Sequence, residues 1–273
     1  MGEDNIFEGN EGLEFTEEVT VGEEAVISMI FTVTGDGDNK TVKVGHLAGD
    51  WENPAISKTT TVTAIRMPDT VIHDGVEYTV TAIGDYAFAE LTNLQTVSMQ
   101  SLTSIPSYGF AGATNLSSVS LPAVLAANGS AFSYGSALEV LELPNLTLLN
   151  SSPLLQNMTA LKELRLPKNT SSLSGMISTT QNIELMDIGV TTTIGLNLNT
   201  TYFKKLEYLI MRNATTVCTP YSSTIFTSAS PLGSGEGLIL VPSSMVSSYK
   251  ADAAWGAYAA QIKAIEDYPD ICG

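Results

Sequence analysis

The sequence predicts an α/β solenoid, a right-handed superhelix with a parallel strand ladder, an N-terminal β cap and a C-terminal helical cap. Three observations carry that prediction. Val97, Val119, Leu141, Leu164, Met186 and Leu209 recur at intervals of 22, 22, 23, 22 and 23 residues. Each has an apolar residue two positions later (Met99, Leu121, Leu143, Leu166, Ile188, Met211) and another three positions earlier (Leu94, Leu116, Leu138, Leu161, Ile183, Leu206). A large apolar residue stands six positions ahead of the run in most copies, as Phe88, Phe110, Phe132, Leu155 and Ile177. An L-x-x-L-x-L column at a period of roughly 20–29 residues is the pattern of strand-bearing units that bury a core only by stacking.

The elements follow in chain order. Residues 1–24 hold nine acidic residues and no Lys or Arg, which reads as a solvated tail or tether. Residues 25–80 read as the β cap, with strands at 25–33, 41–44, 60–67 and 76–80. Asp36-Gly37-Asp38-Asn39 and His73-Asp74-Gly75 supply its turns. A cap belongs there because the first rung of a parallel stack otherwise exposes an apolar end and open strand edges. Rungs occupy 81–242. Asp85, Ser107 and Gly129 lie three residues before the phenylalanines. These are helix N-cap types, so a short helical turn is expected in each early rung. Pro153, after Ser151 and Ser152, fits the first turn of another. The last rung is long, with Gly233-Ser234-Gly235-Glu236-Gly237 inserted before Leu238. Over 243–273, Tyr249, Trp255, Tyr258, Ile262 and Ile265 are spaced to give one apolar face, which predicts the helical cap.

The composite unit is I-x-x-x-A-F-x-x-x-x-x-L-x-x-L-x-L-P, with its best copies opening at Ile83–Phe88 and Ile105–Phe110. It resembles the BspA-type leucine-rich repeats of bacterial surface proteins. The resemblance covers roughly residues 68–266 and weakens around 171–203. Met67-Pro68 followed by Val76–Ile83 looks like the family's entry segment. Val241-Pro242, Tyr249-Lys250, Trp255, Tyr258 and Ile265 look like its exit segment. The resemblance implies a location outside the cell or on its surface. It also implies adhesion to a protein or glycan of another cell or of a host matrix. It brings no shared catalytic residue.

Composition narrows the function further. With 29 acidic against 12 basic residues, the chain repels nucleic acid and anionic lipid. No apolar run reaches the roughly 18 residues of a spanning helix. No basic-then-apolar signal pattern opens the sequence. The expectation is a monomer without cofactor, metal or membrane insertion. His46 and His73 lie apart, without ligand-spaced partners. Asp36, Asp38 and Asn39 lack the spacing of a calcium loop. The glycines at 233–237 precede no Lys-Ser/Thr, and no G-x-S-x-G elbow occurs. Cys218 and Cys272 leave two readings open: a disulfide, or a buried Cys218 with Cys272 in a loose tail.

The outward strand positions carry the functional expectation. Between the core residues of each strand lie Ser98, Ser120, Glu142, Arg165, Asp187 and Ile210. One flanking column reads Thr96, Ser118, Val140, Glu163, Leu185 and Tyr208, and the other ends in Arg212. The early half is small and neutral; the later half is charged. Glu142, Glu163, Arg165, Asp187, Tyr208 and Arg212 are therefore the candidate ligand-binding residues, Arg and Tyr being favoured at binding hot spots. The plainer reading of Glu142, Arg165 and Asp187 is a cross-strand ion ladder. The expected function is non-enzymatic binding. A spacer module without a ligand is the alternative. A glycan-processing enzyme using Glu142 and Glu163 is disfavoured, because an open ladder offers no enclosure for paired carboxylates.

Overall fold

The computed structural model describes residues 10–22, 25–150 and 154–273. The expected turn at Ser151–Pro153 and the start of the acidic segment lie outside them.

The N-terminal unit is a five-stranded sheet. Its strands are β1 (Glu14–Val21), β2 (Ala25–Gly35), β3 (Thr41–Val44), β5 (Thr70–His73) and β6 (Val76–Ile83), in the order β1-β2-β3-β6-β5. β4 (Ala64–Arg66) belongs instead to the stack, pairing in parallel with Thr96–Ser98. The tail reading of 1–24 gives way over β1. Its period-2 alternation buries Phe15, Val19 and Val21, and it pairs antiparallel with β2 from Glu14↔Thr32 to Val21↔Ala25. The acidic side chains misled because they lie on the strand's solvent face or meet histidines. Glu14 receives His46 Nδ1 at 2.9 Å, and Glu17 receives His73 Nδ1 at 2.6 Å.

The stack is built from parallel ladders at the repeat interval. Ala64–Arg66, Thr96–Ser98 and Ser118–Ser120 form one. Val140–Glu142, Glu163–Arg165, Leu185–Asp187, Tyr208–Ile210, Leu238–Val241 and Ile262–Ala264 form the other. On the opposite side, Ser104–Ile105, Ala126–Ala127 and Leu148–Leu149 pair in register. Between these sides the Leu column is buried, Val119 only partly. Phe88, Phe110 and Phe132 stack face to face, with centroids 5.6 and 5.4 Å apart and interplanar angles of 8° and 10°. Side-chain amides stitch successive rungs. Asn93, Asn115 and Asn145 donate to the carbonyls of Thr60, Thr92 and Pro122 at 2.8, 2.7 and 2.7 Å.

The early rungs contain no helical turn at 85–90 or 107–112. Alternate amides leave the segment altogether: Phe88 N donates to Gly109 O at 2.9 Å and Glu90 N to Ala111 O at 2.8 Å. Ala87 and Ala89, between them, close local turns onto Gly84 and Tyr86. A helix needs every amide for its own turn, so inter-rung bonding excludes it. Asp85 does not cap its own segment; its carboxylate accepts from Ser107 N, 22 residues on, at 3.1 Å. The alternation puts Tyr86, Glu90 and Tyr108 at positive φ (59°, 57° and 58°), a region non-glycine residues seldom occupy.

The C-terminal cap is not one helix. Val246–Ala251 is helical, but Asp252 is extended, and its carboxylate accepts from Ala254 N and Trp255 N at 2.8 and 3.1 Å. That local competitor ends the helix. Ile262 then lies in the last strand of the ladder, Ile262–Ala264. Tyr249 and Trp255 are fully buried and hold the backbone of Cys218, which donates to Tyr249 Oη at 2.8 Å and accepts from Trp255 Nε1 at 2.7 Å. The glycine-rich insertion forms a four-residue helix, Pro231–Ser234, capped by Ser230 Oγ and ended at Gly235 (φ 95°). A side chain at Gly237 would place its Cβ 2.4 Å from the Glu207 carbonyl.

Candidate binding surface

Strand periodicity sends alternate side chains out of the stack. In the later ladder the register aligns Glu142, Arg165, Asp187, Ile210 and Leu240 in one outward column. Val140, Glu163, Leu185, Tyr208 and Leu238 form its neighbour. This face divides in two. Val140 and Glu142 are exposed, whereas Leu185, Ile210 and Leu240 are buried.

What buries them is the chain's own end. After Ile262–Ala264 the backbone turns through Ile265–Asp267 and runs into a short helix, Pro269–Cys272. Cys272 closes a cluster with Leu185, Ile210 and Leu240, and Ile265, Tyr268, Ile271, Tyr208 and Leu238 pack around it. Two guanidinium groups hold the segment by its carbonyls. Arg165 Nη1 donates to Ile271 O at 2.8 Å and Arg212 Nη2 donates to Cys272 O at 2.5 Å. Glu266 anchors the start of the segment, accepting from Ser243 N at 3.0 Å and from its hydroxyl at 3.1 Å.

The ion pairs differ from the expected ladder. Arg165 pairs with Glu163 of its own strand (Nη2–Oε2 2.8 Å), because residues two apart share a face. Asp187, only 1% exposed, pairs with Arg212 (2.6 Å to Nη2, 2.8 Å to Nε) and accepts from Gly189 N at 3.2 Å. Asp187 is desolvated and Arg212 half-buried, so removing Arg212 leaves an uncompensated buried charge. Glu142, Arg165, Asp187 and Arg212 share with residues 270–273 a cleft of about 290 Å³ at the edge of the covered zone. All six sequence candidates therefore lie on one face. Arg165, Asp187 and Arg212 meet at this cleft, and Arg165 and Arg212 touch the terminal segment directly. Tyr208 lies beneath that segment. Glu163 reaches the group through Arg165, and Glu142 stays open. The sequence reading did not place Ile265, Tyr268, Ile271 or Cys272 on this face. A signal existed: Leu185, Ile210, Leu238 and Leu240 are apolar at outward positions, which solvent disfavours.

The remaining candidates resolve structurally. Both histidines bind β1, and Phe15 stacks on His73 at 4.0 Å. The Asp36 carboxylate accepts from Asn10 N at 2.7 Å. Among the described residues no three His, Cys, Asp or Glu converge to hold a metal. No described helix is long and apolar enough to cross a membrane. Cys218 and Cys272 are both free and buried, so neither the disulfide nor the loose Cys272 tail describes them. Burial pushes the Cys218 thiol up to about 12 and raises that of Cys272.

Stacked rungs of this period and composition define a leucine-rich repeat fold. Residues 75–184 match the family described as BspA type Leucine rich repeat region, in six copies. That family is generally surface-associated in bacteria. Among solved structures, a leucine-rich repeat protein from Bacteroides capillosus ATCC 29799 is similar at 27% identity, over 54% of this chain and 96% of that one, with a TM-score of 0.39. Another, from Bacteroides ovatus ATCC 8483, is similar at 14% identity over 80% and 71% of the two chains, with a TM-score of 0.33. No curated protein matches the chain.

Proposed function

We propose that this protein is a non-enzymatic binding module, secreted or on the cell surface, whose solenoid presents its outward strand face to a macromolecule. In this reading the ligand is a protein or glycan of another cell or of a host matrix, and the role is adhesion. One observation supports it above the rest. The outward face runs from small side chains (half-buried Ser98, exposed Ser120) through Glu142 into a cleft with two half-buried guanidinium groups and Asp187. Arginines held by packing and fixed partners are pre-organised donors, which lowers the ordering cost of binding. The carboxylates Glu142 and Glu163 beside them set the charge pattern that a ligand must complement.

The test is a solid-phase screen of the full chain against matrix proteins and a glycan array, followed by Glu142→Arg and Ser120→Arg. Both changes lie on the open part of the face. Each is expected to weaken a captured ligand at least tenfold with an unchanged melting curve. Undiminished binding in both variants removes the strand face from the proposal.

A further inference from the structure

The terminal segment shows what kind of ligand the covered part of this face accepts. Its contacts are three side chains (Tyr268, Ile271, Cys272) set against an apolar patch, and two backbone carbonyls received by Arg165 and Arg212. None of these contacts belongs to the repeat core. The core cluster closes without Leu185, Ile210 and Leu240, which form a separate cluster with Cys272. The helix Pro269–Cys272 has four residues, about one turn, and no side-chain cap bond at its start. So short a helix has no stability of its own. Glu266 stays tied to Ser243, while Tyr268 (φ −132°, ψ 57°) and Pro269 begin the part held only by the face. A segment with so few ties outside the face has the features of one that opens locally before the rungs do.

We propose that the outward face of the later rungs is a peptide-docking strip, filled in this chain by residues 268–272 as a displaceable strap. The competing ligand is a short peptide segment from another chain, with two or three apolar side chains on one side and exposed carbonyls that Arg165 and Arg212 receive. This rests on the strand-face reading above and adds the ligand class and its regulation. A ligand must lift the strap, so affinity for the open face is reduced by the small fraction of open molecules.

The two cysteines make the strap measurable in the full chain. Cys272 is 4% exposed, on the side of the strap that faces the patch, and Cys218 is 0% exposed, inside the core. An uncharged thiol reagent under native conditions is expected to label Cys272 at least tenfold faster than Cys218. A peptide of sequence 265–272 with serine for its cysteine, added at millimolar concentration, is expected to raise the Cys272 rate at least threefold and leave Cys218 unchanged. A scrambled peptide is expected to do neither. Arg165→Ala is expected to raise the basal Cys272 rate and shrink the peptide effect. Equal labelling of both cysteines across a denaturant series would mean that the strap opens only with the whole fold, which overturns the proposal. So would a Cys272 rate indifferent to the peptide. Acceleration by oligosaccharides and not by the peptide would assign the strip to sugars and overturn the ligand class. Because the labelling reads only the strap and not a captured ligand, its failure leaves the open-face reading to its own test.

Discussion

Early and late rungs share one repeat and treat their outward faces differently. From 96 to 120 the outward strand residues are Thr and Ser, exposed apart from a half-buried Ser98, and the core is wedged by the phenylalanine ladder. From 185 to 240 the outward residues include Leu185, Ile210 and Leu240, and the chain folds back to cover them. The two regions stand on comparable cores, so the core does not decide which face is free. The outward side chains do: small polar groups keep their water, while apolar ones recruit a cover. A repeat protein can therefore vary its binding surface without altering its scaffold.

The largest effect expected from breaking this comparison lies in the early core. Phe110 is 1% exposed between two parallel rings, and Phe110→Ala leaves a cavity that both neighbours line. A loss of about 3–5 kcal/mol is expected, or a melting midpoint lower by roughly 10 °C in calorimetry. A shift of one or two degrees would show that the ladder does not carry the early rungs. The late region has its counterpart in Arg212→Ala, which strands Asp187 and frees Cys272 O. A loss of about 2–3 kcal/mol is expected. The double variant with Asp187→Ala should recover part of it in a denaturation cycle, and additive losses would argue against a coupled pair.

A smaller, pH-dependent effect is expected at the N-terminal edge. The Leu47 amide and then His46 hold the Glu14 carboxyl below its ordinary 4.5. A depressed carboxyl contributes stability that is fully present above the unfolded value and is lost as pH falls through the folded one. Amides of β1 should thus lose protection in hydrogen exchange below about pH 4.5 before those of the rungs do, and Glu14→Gln should remove that difference. The smallest effect is expected on the open face: Ser98→Ala and Ser120→Ala should change stability by no more than about 0.5 kcal/mol. Ser98 gives up one exposed bond from Gln100 Nε2 (3.0 Å) and Ser120 none among the described residues, so a larger loss from Ser120→Ala would mean that the open half is also covered.

Much of the fold was legible because a repeat fold repeats its instructions. A residue returning every 22 or 23 positions to the same core site must be apolar each time, so Leu94 through Met211 declared their burial. Local propensity was less reliable. The N-cap types at 85 and 107 suggested helical turns, but bonds to the next rung claimed alternate amides. The acids of β1 suggested a tail, but His46 and His73, distant in sequence, met Glu14 and Glu17. The aromatic spacing after Ser243 suggested one helix, but Asp252 ended it after six residues.

The sequence by itself determined the rung register, the core column and which side chains leave the stack, because each follows from a period that the chain repeats. Only the tertiary structure decided which outward residues meet solvent. Leu185, Ile210 and Leu240 become one patch through strand pairing across 55 residues of chain, and the segment that covers them has no periodicity of its own. Its place depends on where the last strand leaves it, on the Glu266–Ser243 anchor, and on two arginines from rungs far earlier in the sequence.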